Sequence, residues 1–150
     1  DQENGGKMTD NKIKGRCFYG SVKFEVKGIP TAMVYCHCKD CQAWSVGTIN
    51  SASLWNPDLL EITKGQECIE TYNKTEDSYR KFCKKCGGHL MTEHPGMNLI
   101  DIFAVLLKGF SFKPAIHINY ESKMVSVKDG LPKFKDMPED LGGTGMLLPD

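Results

Sequence analysis

The chain has 150 residues, 40% hydrophobic and 25% charged, which is enough to build one modest core. Basic and acidic residues balance at 19 each, so the composition points away from a polyanionic partner such as nucleic acid. No run approaches the roughly 20 apolar residues of a membrane-spanning helix, so no membrane partner is expected.

Residues 1–7 are polar and lack the apolar core of a secretory signal. They read as an expression remnant or disordered leader, with Met8 as the native start. Val22, Phe24 and Val26 alternate with polar neighbours, the period-two pattern of a half-buried strand. Gly28-Ile29-Pro30 breaks it, and residues 31–35 read as a second strand running into a cysteine cluster. A short helix is expected after Cys38, with Asp40 in its first turn. Further strands are expected at residues 59–63, 69–72, 79–82, 89–92, 100–106 and 116–120, bounded by turn-forming residues. From Leu131 onward, prolines, glycines and charged side chains including Lys133 predict an extended or loosely ordered surface arm. Asn73-Lys74-Thr75 fits the glycosylation pattern but, without a secretory signal, reads as a chance match. The expected fold is a single mostly-β domain of short antiparallel sheets.

Seven cysteines cannot all pair internally. Without a secretory signal the expected compartment is the reducing cytoplasm, where clustered cysteines serve metal or redox chemistry more often than disulfides. Cys36-His37-Cys38-Lys39-Asp40-Cys41 lets a turn and a helix start aim three thiolates at one point, and zinc prefers four such soft ligands. If water or a substrate thiol takes the fourth position, the site is catalytic; if His37 or His94 takes it, the site is closed and structural. Cys83-Lys84-Lys85-Cys86-Gly87-Gly88 has the form of a zinc knuckle, in which glycine lets the backbone turn beneath the metal. A redox pair is the competing reading, but that motif opens a helix in a βαβ setting, and strand-like residues flank this one. Cys17 is either a buried small hydrophobe or a further ligand for the Cys83–Cys86 pair. Cys68 has no metal-like spacing and is expected in packing.

These segments together resemble the glutathione-dependent formaldehyde-activating enzyme family, which includes the centromere protein V domain. The resemblance runs from about Gly15 to Pro138. It is carried by Gly15-Arg16-Cys17-Phe18-Tyr19-Gly20, the Cys36–Cys41 cluster, Arg80-Lys81-Phe82-Cys83-Lys84-Lys85-Cys86-Gly87, Pro114-Ala115-Ile116-His117-Ile118 and Asp129-Gly130-Leu131-Pro132. It implies a zinc-binding β-tent of packed sheets over residues 8–138, followed by a C-terminal arm over 139–150. It also implies a catalytic zinc on Cys36, Cys38 and Cys41. A structural zinc would use a Cys-x-Cys pair together with Cys83 and Cys86. Here Cys17 is followed by Tyr19 where the family pattern has cysteine, and neutral tyrosine is a poor ligand. That site is then three-coordinate from the protein, recruits a residue such as His89, or is empty.

The implied activity is a zinc-dependent carbon–sulfur lyase or synthase acting on the glutathione adduct of a small aldehyde, or on a related thioether. The alternative is a non-catalytic zinc-stabilised binding module. His37 and His94 are the candidates for proton transfer, because imidazole titrates near neutral pH; the competing reading makes His37 a positional residue and His94 a turn residue before Pro95. His117, between Ile116 and Ile118, is expected on the far face of its strand. Lys39, Lys84 and Lys85 are candidates for glutathione carboxylates, though surface lysines more often only solvate a face. Trp44, Trp55, Phe103 and Phe110 are expected in the core or lining a pocket. Oligomeric state is not legible.

Overall fold

The computed structural model describes residues 11–150, so the expected leader and Met8 lie outside the described residues. The elements in chain order are β1 (Lys12–Arg16), β2 (Lys23–Lys27), β3 (Ala32–Cys36), α1 (Lys39–Ser45), β4 (Asn50–Trp55), β5 (Leu60–Lys64), β6 (Ile69–Thr75), β7 (Ser78–Cys83), β8 (His89–His94), β9 (Leu99–Phe103) and β10 (Ile116–Ile118). The fold is mostly β, as expected. The chain divides into two compact units, one from the described residues up to Thr31 plus Ser53–Ser111, the other from Ala32–Ala52 plus Phe112–Asp150.

In the first unit, β2 pairs antiparallel with β1 and with β5. Phe24 sits opposite Gly15, where a Cβ would run into the Phe24 ring, so the glycine makes room for the aromatic side chain. Strands β6, β7, β8 and β9 form a second antiparallel run in sequence order. The core of this unit buries Val22, Phe24, Val26, Leu90, Met91, Ile100 and Ile102 together with Trp55. Cys68 joins that core, in line with its packing role. Trp55 is core, with Phe110 packed against it at 5.9 Å between ring centroids.

Two strands lie outside the expected set, β1 and β4. In β1 a glycine stands where alternation calls for an apolar residue. In β4 the apolar signal is diluted by Ser51 and Ser53. Ser53 is fully buried; its hydroxyl donates to the Ile102 carbonyl at 2.7 Å and accepts from Trp55 Nε1 at 2.8 Å. A buried polar atom with both partners supplied costs little, which is how a serine occupies a core strand.

In the second unit β3 and β10 pair in parallel, a departure from the antiparallel pattern, with Ile118 opposite Cys36 and His117 opposite Tyr35. The arm after Leu131 is not loose. His117 N–H donates to the Pro132 carbonyl and Phe134 N–H to the His117 carbonyl, both at 2.9 Å, so the arm runs along β10. Leu148 N–H donates to the Lys133 carbonyl at 2.8 Å, so the last residues return alongside it. Lys133, expected at the surface, is 2% exposed. Composition is blind to this, because backbone pairing satisfies N–H and C=O groups whatever the side chains are.

Candidate metal centres

The first cluster sits where β3 runs into α1. Cys38, extended at ψ 149°, caps the helix, its Sγ accepting from the Cys41 N–H at 3.1 Å. Asp40 falls in the first turn, as expected. This geometry brings Cys36, Cys38 and Cys41 together, with all three Sγ atoms within 4.8 Å of one another. Cys41 Sγ lies 2.6 Å from Cys38 Sγ and 3.7 Å from Cys36 Sγ. The Asn119 side-chain amide donates to Cys36 Sγ at 3.5 Å. Crowded thiols suppress one another's ionisation. The hydrogen bond with Cys38, and burial, push Cys36 up to about 12, while contacts with Cys36 and Cys38, and burial, push Cys41 up as well. A soft dication removes that penalty by replacing the shared protons, so this donor set fits zinc.

The second cluster belongs to the first unit. Cys17, Cys83 and Cys86 also converge with their Sγ atoms within 4.8 Å. Gly87, at φ 75°, donates its N–H to the Cys83 carbonyl at 2.7 Å and turns the chain beneath the pair. Backbone N–H groups of Gly20 and Val22 reach Cys17 Sγ at 3.3 Å, and Gly88 N–H reaches Cys86 Sγ at 3.4 Å. Ser21 Oγ lies 3.4 Å from Cys17 Sγ and 3.1 Å from Cys83 Sγ. Burial works to raise the Cys17 thiol, but these hydrogen bonds outweigh it and bring the group down to about 6. N–H groups directed at two of the three sulfurs, and a hydroxyl at the third, suit a metal as well.

Beside the first triad lies a polar array in which the histidines and a lysine are buried and Asp129 reaches the surface. His37 Nε2 is 2.7 Å from His117 Nδ1, and His117 Nε2 is 2.7 Å from Asp129 Oδ2. Lys133 Nζ donates to Asp129 Oδ1 at 2.7 Å and lies 2.8 Å from Asp150 Oδ1. His37 and His117 are fully buried, and Tyr120 meets the His37 ring edge-on at 4.9 Å. His37 is brought down to about 4, first by burial and then by the neighbouring His117. Burial acts to raise Asp129, but its bonds to Lys133 and His117 prevail and hold it below the usual carboxylate range.

A family model described as glutathione-dependent formaldehyde-activating enzyme matches residues 12–122. The chain belongs to this family. No curated protein sequence matches it. Among solved structures, the crystal structure of a Rhodobacter sphaeroides protein is similar at 22% identity, covering 65% of this chain and 90% of that one with a TM-score of 0.55. At that identity the likeness is one of fold.

Of the ligands expected from the formaldehyde-activating family, the structure gathers Cys36, Cys38 and Cys41 in one unit and Cys17, Cys83 and Cys86 in the other. Among the described residues, neither His37 nor His94 joins the first triad, and His89 does not join the second. Tyr19 is 73% exposed, and Ser21 is the oxygen-bearing side chain beside the second set of thiols. Lys84 pairs with Glu70 at 4.0 Å and Lys39 is exposed at the start of α1. Sequence reasoning missed the array as a unit. Its signal was His117 itself, a polar residue between two isoleucines on a short buried strand.

Proposed function

We propose that this chain is a zinc-dependent carbon–sulfur lyase or synthase that joins glutathione to formaldehyde, or to a comparable small aldehyde, and splits the adduct in reverse. The observation that carries the reading is the first triad: three thiols within 4.8 Å of one another, with only three ligands drawn from the described protein residues, in a chain of the glutathione-dependent formaldehyde-activating family. Three protein ligands leave a zinc position for an incoming thiol.

Cys36, Cys38 and Cys41 would hold the metal. When bound, zinc supplies a Lewis acid that favours thiolate over thiol and needs no redox change. The glutathione sulfur adds to the aldehyde carbon, its electron pair forming the C–S bond while the C=O π pair moves to oxygen. That oxygen takes a proton to give the hydroxymethyl thioether. The thiol proton leaves to water, because the His37 ring is sealed from solvent and its Nε2 is engaged by His117. Of the two roles the sequence offers His37, we assign it the positional one. Cys17, Cys83 and Cys86 would hold a second, structural zinc.

All seven cysteines are free thiols, which supports a reducing compartment such as the cytoplasm. Among the described residues no helix is long and apolar enough to cross a membrane. Glutathione is the proposed partner.

The test is exchange NMR of the zinc-loaded protein with glutathione and isotopically labelled formaldehyde. Adduct exchange faster than the protein-free control, and lost in Cys38→Ser, is expected. Exchange at the control rate with both triads still holding zinc would leave the non-catalytic binding module instead.

A further inference from the structure

We propose that the array His37–His117–Asp129–Lys133 is a positioning device for the first triad, fixing the residue between Cys36 and Cys38 and thereby setting that site's metal affinity. The inference rests on reading the triad as a zinc site.

His37 is tied at almost every polar atom. Its N–H donates to the Ile118 carbonyl at 3.1 Å, and its carbonyl accepts from Gln42 Nε2 at 2.7 Å. The same Gln42 amide donates to the Ser122 carbonyl at 3.0 Å, joining α1 to the segment after β10. Nε2 is held by His117, and Nδ1 is the one polar atom of the residue without a partner. Neither ring nitrogen joins the thiols. His37 therefore acts on its neighbours through the backbone, by fixing where Cys36 and Cys38 set out from it.

The far end of the array explains why that grip is firm. His117 is locked between Asp129 and the ring of Tyr35, whose centroid is 4.9 Å away. Asp129 is in turn held by Lys133 and by the Leu131 N–H at 3.1 Å. Lys133 is 2% exposed and shared with Asp150. Burying two imidazoles and an ammonium group is expensive, and an apolar filling would stabilise the unit as well or better. What the polar chain provides that an apolar core does not is direction: each short hydrogen bond fixes a ring plane or a head group. Residues that hold a metal site in this way typically change its affinity by roughly 10–100-fold when removed.

The second triad serves as an internal control, because it belongs to the other unit. The experiment is chelator competition on the zinc-loaded full chain, without glutathione or aldehyde, with the two release steps assigned by Cys38→Ser and Cys83→Ser. Asp129→Asn, Lys133→Met and His117→Phe are expected to weaken the first triad roughly tenfold or more and leave the second unchanged. His117→Gln, which keeps a donor for Asp129, should recover part of the loss. Equal weakening of both triads would reduce the array to general stability, and no change at either, or a parent first triad without zinc, would also overturn the proposal. Selective weakening in a protein that shows no adduct exchange would sink the lyase reading and keep this one.

Discussion

Ser21 Oγ lies 3.1 Å from Cys83 Sγ, so a serine two residues past Tyr19 provides the polar contact that tyrosine was positioned to make in the sequence. Tyr19 itself is turned to solvent. We expect two zincs per chain by elemental analysis, Cys38→Ser and Cys83→Ser each losing one. Tyr19→Phe should change nothing, whereas Ser21→Ala should weaken the second site by about tenfold, since a bond to a charged sulfur is lost. A zinc content that follows Tyr19 and ignores Ser21 would refute this assignment.

Acid should destabilise the second unit through His37. The group's ordinary value is 6.5 and the fold holds it at about 4, so between these values the unfolded chain binds more protons. Its contribution is fully present above about pH 6.5 and is lost as pH falls through about 4. At about 1.36 kcal/mol per unit, the loss is about 3 kcal/mol. Asp129, held below its ordinary 3.8, continues the decline at lower pH. Urea unfolding at pH 7 and pH 4 should show a smaller drop for His37→Gln than for the parent. Equal drops would mean that the imidazole does not titrate with folding.

Ser53→Ala should cost about 1–3 kcal/mol. The substitution removes the acceptor of Trp55 Nε1 and leaves that buried donor unsatisfied. The readout is the chemical-denaturation midpoint, and a change below a few tenths of a kcal/mol would show that Trp55 finds another partner.

Val46 ends α1 in the left-handed region at φ 56° while 88% exposed, an unfavourable conformation for a β-branched residue. Its N–H still closes the helix by donating to the Gln42 carbonyl. Val46→Gly or Val46→Asn should raise stability by about 0.5–1 kcal/mol, because strain is relieved and no packing is lost. A thermal midpoint at or below the parent's would argue that the exposed valine contributes something the fold alone does not reveal.

Strands with clean alternation, such as β2, and the helix after Cys38 were legible because their periodicity and capping are local properties. β4 was not, because Ser51 and Ser53 read as surface residues until Ile102 and Trp55 are seen around Ser53. Lys133 was misplaced for a related reason: a lysine among prolines and glycines reads as solvent-facing. Its burial goes with ion pairs to Asp129, four residues back in a non-helical stretch, and to the more distant Asp150, and composition reveals neither.

By itself the sequence determined the donor set of this protein: soft thiols, spaced so that Cys36, Cys38 and Cys41 can meet, with Cys83 and Cys86 ready for a third and more distant cysteine. Spacing suffices there because a few residues of turn and one capped helix close the geometry. Only the tertiary structure decided which distant groups complete it. Cys17 is brought to the pair and Ser21 with it, Tyr19 is turned outward, and His37 is joined to His117 instead of to the thiols of the first triad. Those outcomes depend on strand register and on the burial of polar groups that must find partners, and both are set by the whole fold rather than by neighbours in the chain.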